Sequence, residues 1–310
     1  MSADLGLGCW AFGGGYWYNQ QRSDSIRTLH AAIRGGIRHF DTAQAYGKGL
    51  SEQITGQQLK RFSATVDRSS ITLASKLFLP AHPDDLNMLI HRSLRRLCTS
   101  YLDILYIHWP DSSKHLEPYL VELERLRDLG LFHALGVSNF TVPLLEKAMR
   151  ISDIGYCQIP VSLMWPKSLT EIQSICTEGA IRIVGYSPLG LGLLSGRYRD
   201  RSDFDVQDRR RDLFVFDGRY EKAYRHLLAS LSTAARSLQI PQATIALAWA
   251  RSRQVHTILT GARTKEQVQA VLTSTPQSLP LKVMQDLDEA SDHLASLIPE
   301  DQDNLFFHRW

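Results

Sequence analysis

Cysteine is scarce in this sequence, and long apolar runs are missing from it. The four cysteines, Cys9, Cys98, Cys157 and Cys176, are far apart, and no pair has the Cys-x-x-Cys spacing of a zinc or redox site. We therefore expect reduced thiols and no metal site. The chain also lacks an apolar run of about eighteen residues and an N-terminal signal peptide. These absences predict a cytoplasmic protein that does not contact a membrane.

Charge of one sign is not in excess either. The 310 residues include 35 Lys and Arg against 32 Asp and Glu, a formal net charge of +3. The basic residues are scattered, apart from Arg209, Arg210 and Arg211, which we expect to be exposed loop charges. Nucleic acid is therefore not an expected partner, and the sequence carries no signal for a particular oligomeric state.

Short β-rich segments alternate with helical patterns along the whole chain, as is typical of parallel strands joined by crossover helices. Eight candidate strands cover residues 5–9, 37–41, 71–76, 102–108, 132–137, 156–160, 181–186 and 257–260. Helical patterns include residues 23–34, 84–97, 117–129, 142–150 and 242–250. No linker divides the chain, which favours one domain over residues 1–310. The sequence thus predicts an α/β protein, a single-domain (β/α)8 TIM barrel.

Two segments interrupt this repeat. Residues 187–220 are rich in Arg and Gly, and long loops in compact barrels are usually functional. Residues 281–310 combine a predicted helix with an aromatic tail, which could cover a pocket or pack on a partner. Ser51, Asp84 and Thr141 are candidates for capping the first turn of a helix.

Polar residues follow three neighbouring strands that are otherwise apolar. Asp41 ends the second strand, and Tyr46 follows it in the next loop. Lys76 ends the third strand and His108 the fourth. Because the carboxyl ends of barrel strands converge on one face, these four side chains should meet. The Lys76 ammonium would then lower the pKa of Tyr46, with Asp41 as the counter-ion of Lys76.

This set of residues leaves few reactions open. No serine lies in a G-x-S-x-G motif and no cysteine lies beside these positions, so a convincing nucleophile is missing. A lone His108 beside Lys76 is a poor metal site, since the lysine repels the ion. His108 can instead orient or polarise a carbonyl oxygen. Proton donation without a nucleophile or metal suits carbonyl reduction, which needs a hydride carrier.

Several segments resemble the motifs of the aldo-keto reductase family, in the order in which that family carries them. They are FDTAQAYGKGLSE, ITLASK, LDILYIHWPD, LGVSNF and GYSPLGLGLLSGRY, and the likeness runs from GLGCWAFGG to TGARTKEQ. The resemblance implies that Asp41, Tyr46, Lys76 and His108 are the catalytic tetrad. The chain starts almost at the first strand, so the N-terminal hairpin that closes the barrel in many relatives is expected to be short or absent.

The resemblance also implies NADP(H), bound in an extended pose across the barrel top and covered by residues 187–220. Ser138, Asn139 and Gln158 are assigned to the nicotinamide carboxamide, and Tyr186 to stacking on its ring. The residues assigned to the pyrophosphate are Ser187, Pro188, Leu189, Gly190, Leu191 and Arg197. Arg263, which follows Gly261, is assigned to the ribose 2′-phosphate that NAD lacks. The remaining residues assigned to the cofactor are Trp10, Asp41, Gly261 and Gln267.

The resemblance further implies an NADP-dependent enzyme that reduces aldehydes or ketones to alcohols, with Tyr46 as the general acid. The residues expected to wall the pocket of a small carbonyl substrate are Trp10, Tyr46, His108 and Trp109. Ala270 and Val271 replace a Glu-Asn pair that many relatives have near the adenine, so an NAD(P)-dependent sugar or alcohol dehydrogenase stays open. An NADPH-binding sensor subunit with little turnover is the other alternative.

Overall fold

A computed structural model describes residues 3–274 and 278–299 of the chain. Its strands are β1 (Asp4–Gly8), β2 (His39–Asp41), β3 (Thr72–Leu77), β4 (Leu102–Ile107), β5 (Phe132–Ser138), β6 (Ile154–Pro160), β7 (Arg182–Tyr186) and β8 (Thr257–Gly261). Each strand pairs in parallel with the next, and β8 pairs back with β1, so the sheet is a closed barrel. The (β/α)8 barrel expected from the sequence is confirmed, and each strand begins and ends within two residues of its predicted bounds.

Helices surround the barrel. They are α1 (Arg22–Arg34), α2 (Leu50–Arg61), α3 (Asp85–Leu97), α4 (Leu116–Asp128), α5 (Val142–Met149), α6 (Lys167–Glu178), α7 (Gly218–Leu238), α8 (Gln242–Arg251), α9 (Lys265–Ser274) and α10 (Leu281–Ser296). The irregular segment after β7 ends at Asp217, whose carboxylate accepts a 3.1 Å hydrogen bond from the Arg219 amide and so caps α7. No helix in the described ranges is both long and apolar enough to cross a membrane. Residues 300–310, with most of the aromatic tail, lie outside those ranges.

The alternation of side chains along each strand decides which residues reach the barrel interior. In β4, Leu105 and Ile107 are buried in the layer between strands and helices, where each contributes about 1.5–3 kcal/mol. Ile104 and Tyr106 belong to a separate cluster, inside the barrel. His108 follows Tyr106 by two positions and therefore faces inward. The same alternation turns the polar ends of the other strands toward the barrel axis.

Of the expected helix caps, Thr141 holds the N-cap position of α5, but none of the three side chains caps a helix by a hydrogen bond. The backbone of Asp84 is already helical, and neither Asp84 nor Thr141 makes a side-chain cap hydrogen bond. Ser51 lies within the first turn of α2, where its fully buried hydroxyl donates a 2.7 Å hydrogen bond to the Cys9 carbonyl oxygen. Ser51 therefore bonds to a residue at the end of β1 and not to the amides of its own helix, and sequence spacing does not reveal this partner.

Candidate active site

A cavity of about 520 Å³ lies at the carboxyl ends of the strands. The strand-end side chains in its wall are Asp41, His108, Ser138, Gln158 and Tyr186. They come from or directly follow five different strands, and the alternation along each strand turns them inward. The rest of the wall comes from the segment after β1, the irregular segment after β7, and the α8 and α9 regions. Residues distant in sequence therefore meet at one face of the barrel.

An ion pair between Lys76 and Asp41 forms the buried part of this site. Lys76 Nζ donates to Asp41 Oδ1 and, at 2.9 Å, to the carbonyl oxygen of Thr42. The other Asp41 oxygen accepts a 2.8 Å hydrogen bond from the Gln158 side-chain amide. Lys76 is 1% exposed, so its charge needs these partners. Both oxygens of the Asp41 carboxylate are therefore held, one by Gln158 and the other by the ammonium of Lys76.

Tyr46 lies beside this ion pair. Its hydroxyl oxygen is 3.4 Å from Lys76 Nζ, and its ring meets the His108 ring edge-on with 5.5 Å between centroids. Its backbone packs against the turn that follows β1, where a Cβ at Gly13 would lie 2.5 Å from the carbonyl carbon of Tyr46 and the nitrogen of Gly47. The absence of a side chain at Gly13 therefore sets how closely the Tyr46 loop approaches β1.

Burial governs the titration of these groups. It raises the pKa of the Tyr46 phenol well above 10, and the Asp41 carboxylate raises that pKa further. Burial also lowers the pKa of Lys76, against the opposing effect of Asp41. The expected lowering of the Tyr46 pKa is therefore wrong, because burial disfavours phenolate and Asp41 already neutralises the ammonium. The phenol stays protonated at neutral pH, as a proton donor must.

His108 completes this polar group. Burial lowers its pKa well below 6.5, and the nearby Lys76 charge lowers it further, so its imidazole is neutral. Its ring stacks on Phe78 with 5.0 Å between centroids. Nδ1 of His108 is buried and has no hydrogen-bond partner within the described ranges. A neutral imidazole in this position can donate a hydrogen bond to a carbonyl oxygen.

Hydrogen bonds also fix the wall next to the tetrad. The Tyr186 hydroxyl donates a 2.7 Å bond to Asn139 Oδ1. Asn139 Nδ2 in turn donates to Ser138 Oγ at 2.9 Å and to the His108 carbonyl oxygen at 3.2 Å. Asn139 has a positive φ of 62°, which asparagine tolerates better than most residues. The amide and hydroxyl groups of this wall are thus ordered by the protein itself.

Three guanidinium groups line another part of the cavity: Arg197, Arg210 and Arg263. Arg263 Nε donates to Gln20 Oε1 at 2.9 Å, and its Nη2 donates to the Tyr18 carbonyl oxygen at 2.5 Å. Burial lowers the pKa of Arg263, and the positive charges of Arg210 and Arg197 lower it further. A polyanion would relieve this mutual repulsion.

The expectation that residues 209–211 are exposed loop charges is wrong for Arg210, which is 4% exposed. Its Nε and Nη2 form a fork on the Asp208 carboxylate, at 3.0 and 2.6 Å. Its guanidinium also lies over the rings of Tyr198 and Phe204, at 4.8 and 4.9 Å from the centroids. The folded segment supplies a carboxylate and two aromatic faces that outweigh the cost of burying this charge.

All but one of the residues assigned to the cofactor, and all four assigned to the substrate pocket, line the cavity. The exception is Gly190, where a Cβ would lie 2.3 Å from the sulfur of Met164, so that this glycine packs on its neighbour. Lys76 lies behind the wall. Sequence reasoning missed Asp24, Phe78, Tyr198 and Arg210 as lining residues. Only Phe78 had a signal, since it follows Lys76 by two positions and shares its orientation.

Comparisons with known proteins extend over nearly the whole chain. The model of the Aldo/keto reductase family matches residues 4–292. Aldo-keto reductase YhdN from Bacillus subtilis is 32% identical over 215 residues, which are 66% of this chain and 64% of YhdN, slightly under two thirds of that relative. The NADH-specific methylglyoxal reductase of Escherichia coli is 26% identical over 92% of this chain and 94% of that protein. The solved glycerol dehydrogenase of Gluconobacter oxydans has a TM-score of 0.83 at 26% identity, covering 96% of this chain and 94% of that one.

Proposed function

This chain belongs to the aldo/keto reductase family, and we propose that it reduces an aldehyde or ketone to the alcohol with NADPH, with Tyr46 as the proton donor. The observation that carries the proposal is the protonated Tyr46 phenol 3.4 Å from the buried Lys76 ammonium. A donor with an adjacent fixed charge suits a reaction in which an oxygen gains negative charge and then a proton.

Each tetrad residue has one task in this proposal. The neutral His108 donates a hydrogen bond that orients the carbonyl oxygen of the substrate. Tyr46 gives its hydroxyl proton to that oxygen, and Lys76 stabilises the phenolate that remains. Asp41 holds Lys76 in place, so no side chain has to move when the proton leaves. Preorganised charge of this kind commonly contributes several kcal/mol to lowering a barrier, roughly 3–4 for one hydrogen-bond donor.

The cavity suits a nicotinamide dinucleotide, which supplies the hydride when it is bound. One part of its wall has ordered amide and hydroxyl groups from Ser138, Asn139 and Gln158, which are suited to a carboxamide. Another part has the guanidinium groups, which are suited to phosphates. A flat ring, that of Tyr186, lines the same cavity and is anchored through its hydroxyl.

Charge supports NADPH over NADH. Arg197 and Arg263 line the cavity without a carboxylate partner in the ion pairs of the described residues, whereas Arg210 is paired with Asp208. Two carboxylates, Asp24 and Asp41, line the same cavity, and they are paired with Arg27 and Lys76. The two cations, unpaired within the described residues, therefore outweigh the two neutralised anions, which favours the extra phosphate of NADPH.

A second candidate function is an NAD(P)-dependent alcohol dehydrogenase that uses the same site in oxidation. One of the compared proteins, named a glycerol dehydrogenase, favours the oxidation, and another, named an NADH-specific reductase, favours only the use of NAD(H) as cofactor. The absence of a Glu-Asn pair at Ala270 and Val271, both of which line the cavity, is compatible with weaker selection for NADPH.

Absorbance at the reduced nicotinamide band separates these candidates. Purified protein is given NADPH or NADH with aromatic aldehydes, ketones and methylglyoxal, and NADP⁺ or NAD⁺ with glycerol and other polyols. We expect faster turnover with NADPH and aromatic aldehydes, because Trp10, Phe78 and Trp109 give the cavity an aromatic wall. Turnover with polyols and NAD⁺ alone would support the second candidate. Cofactor binding by calorimetry without turnover of any substrate would overturn both and support a sensor.

Asp24 offers a direct test of the charge argument. Asp24→Asn removes the carboxylate, and we expect NADPH to bind about three- to tenfold more tightly while NADH changes little. Asp128→Asn, at an exposed position in α4, is the matched control. An equal gain for both cofactors would contradict a role in selecting the 2′-phosphate.

A further inference from the structure

A buried chain of hydrogen bonds continues from the tetrad toward α2. Lys76 Nζ donates to the Thr42 carbonyl oxygen at 2.9 Å. The Thr42 hydroxyl donates to Ser51 Oγ at 2.8 Å, and the Ser51 hydroxyl donates to the Cys9 carbonyl oxygen at 2.7 Å. Thr42, Ser51 and Cys9 are all 0% exposed. Water cannot replace these bonds, so each polar group depends on the next one.

This chain of bonds joins three elements at the position where the tetrad begins. Cys9 directly follows β1, and its amide donates a 2.8 Å hydrogen bond to the Asp41 carbonyl oxygen at the end of β2. Ser51, in the first turn of α2, connects this junction to Thr42 through its hydroxyl. The backbone that carries Asp41 is therefore held from both sides, by Cys9 and through Thr42 by Ser51.

We propose that Ser51 is a positioning residue for the proton transfer of this enzyme. Its Oγ accepts a hydrogen bond from the Thr42 hydroxyl and so holds Thr42 in place. The carbonyl oxygen of Thr42, together with Asp41, then fixes Lys76 Nζ beside the Tyr46 hydroxyl. Ser51 touches neither substrate nor cofactor, and it does not line the cavity. The inference rests on the proposed function, because it assigns Ser51 a part in the same reaction.

The attachment of α2 to the barrel does not depend on Ser51. The neighbouring Glu52 is also fully buried, and its carboxylate accepts a 2.7 Å hydrogen bond from Ser75 Oγ and pairs with Arg96 at 3.1 Å. Gly56 of α2 packs closely on the backbone of Leu97 at the end of α3. Loss of the Ser51 hydroxyl should therefore leave the helix in place and loosen only the Thr42 loop.

The test compares Ser51→Ala, Thr42→Val and the double variant with the parent enzyme. The rate of the chemical step in one turnover, with saturating NADPH and an aromatic aldehyde, should fall roughly ten- to a hundredfold, since small misplacements of reacting groups have effects of that size. KM for the aldehyde and the calorimetric Kd for NADPH should change less than about twofold. Because the two hydroxyls act in series, the double variant should be no slower than the slower single variant. Thr42→Ser keeps the hydroxyl and should retain the parent rate.

Ser291→Ala is the matched control, since Ser291 is 1% exposed and also donates a 2.7 Å hydrogen bond to a carbonyl oxygen, that of Leu163. It should leave the rate unchanged. An unchanged rate in Ser51→Ala, or an equal loss in Ser291→Ala, would overturn the positioning role. Multiplicative losses in the double variant would also overturn it. If Ser51→Ala fails to fold, the nearly isosteric Thr42→Val with its Thr42→Ser rescue decides the question alone. A parent protein that reduces no carbonyl overturns the proposed function, and the role of Ser51 with it.

Discussion

Lys76 Nζ and the Tyr46 hydroxyl oxygen are 3.4 Å apart, where the buried ammonium of Lys76 meets the wall of the cavity. The ammonium is already neutralised by Asp41, so it does not pull the proton from the phenol before reaction. In the proposed reaction the ammonium becomes important when the proton leaves, because the phenolate then needs a nearby positive charge. Tyr46 therefore keeps its proton before the proposed reaction, and Lys76 stabilises the Tyr46 phenolate after the proton has left.

Replacing Tyr46 by phenylalanine removes the proposed proton and keeps the ring. We expect kcat for aldehyde reduction to fall by about 10² to 10⁴, the usual worth of a positioned acid, while the calorimetric Kd for NADPH stays the same. Tyr106→Phe is the control, because Tyr106 is fully buried inside the barrel and its hydroxyl has no hydrogen-bond partner in the described ranges. Loss of activity in both variants alike would argue against a specific role for Tyr46.

The pH dependence of kcat should be flat through neutrality. Burial raises the pKa of Tyr46 well above 10, so the donor keeps its proton as the pH rises toward that value. Burial lowers the pKa of His108 well below 6.5, so its imidazole stays neutral as the pH falls through 6.5. Single-turnover rates measured from about pH 6.5 to about pH 10 should therefore vary little. A rate that falls as the pH drops toward 6.5 would show that His108 titrates in its ordinary range, and a rate that falls as the pH rises toward 10 would show the same for Tyr46.

His39 should make the fold sensitive to acid. It is buried in β2, its Nε2 has no hydrogen-bond partner in the described chain, and burial lowers its pKa from 6.5 to about 4. The unfolded chain therefore binds a proton first as the pH falls, and the free energy of unfolding should decrease between pH 6.5 and pH 4. This one group accounts for about 3 kcal/mol over that window.

Urea unfolding at several pH values measures this contribution. His39→Gln should remove about 3 kcal/mol of the pH dependence between pH 6.5 and pH 4. His91→Gln, at an exposed position of α3, should leave the pH dependence as it is in the parent. If the free energy of unfolding decreases equally in His39→Gln and in the parent as the pH falls, then groups other than His39 cause the decrease.

The close contact between Gly13 and the Tyr46 loop gives a further prediction. Alanine at Gly13 would place a Cβ 2.5 Å from backbone atoms of Tyr46 and Gly47, so the loop must shift. We expect Gly13→Ala to lower kcat by roughly tenfold or more, since the donor hydroxyl moves with its backbone. Gly218→Ala is the control, because a Cβ there meets no atom within 4 Å. Parent activity in Gly13→Ala would show that the tetrad tolerates a displaced loop.

Much of the fold, and the meeting of Asp41, Tyr46, Lys76 and His108 at one face of the barrel, followed from the sequence because both depend on periodicity. Eight apolar strands that alternate with helices are typical of a barrel, and polar residues at consecutive strand ends, such as Lys76 and His108, must then share its interior. The direction of the Tyr46 pKa did not follow, because it depends on how completely the folded chain excludes water. Considering only the charge of Lys76 beside Tyr46 leaves out the effect of burial, which raises the pKa of a phenol.

Contacts between side chains and partners distant in sequence could not be predicted from the sequence either. In the sequence, Arg210 is one of three consecutive arginines. Only the fold of this segment brings its guanidinium into contact with the Asp208 carboxylate and the rings of Tyr198 and Phe204. Ser51 stands where a helix cap is expected, yet its partner is the carbonyl of Cys9, forty-two residues away. Local spacing cannot reveal such contacts, because burial and tertiary packing decide which acceptor a hydroxyl meets.

The guanidinium groups of Arg210 and Arg263 both lie over the indole ring of Trp17, at 5.4 and 5.9 Å from its centroid. All three side chains line the cavity. The electronic transition of an indole responds to the electric field across its ring, and an anion that enters beside these two cations changes that field. The emission wavelength and intensity of Trp17 fluorescence should therefore change when an anionic ligand fills the cavity, so binding can be followed without an added dye.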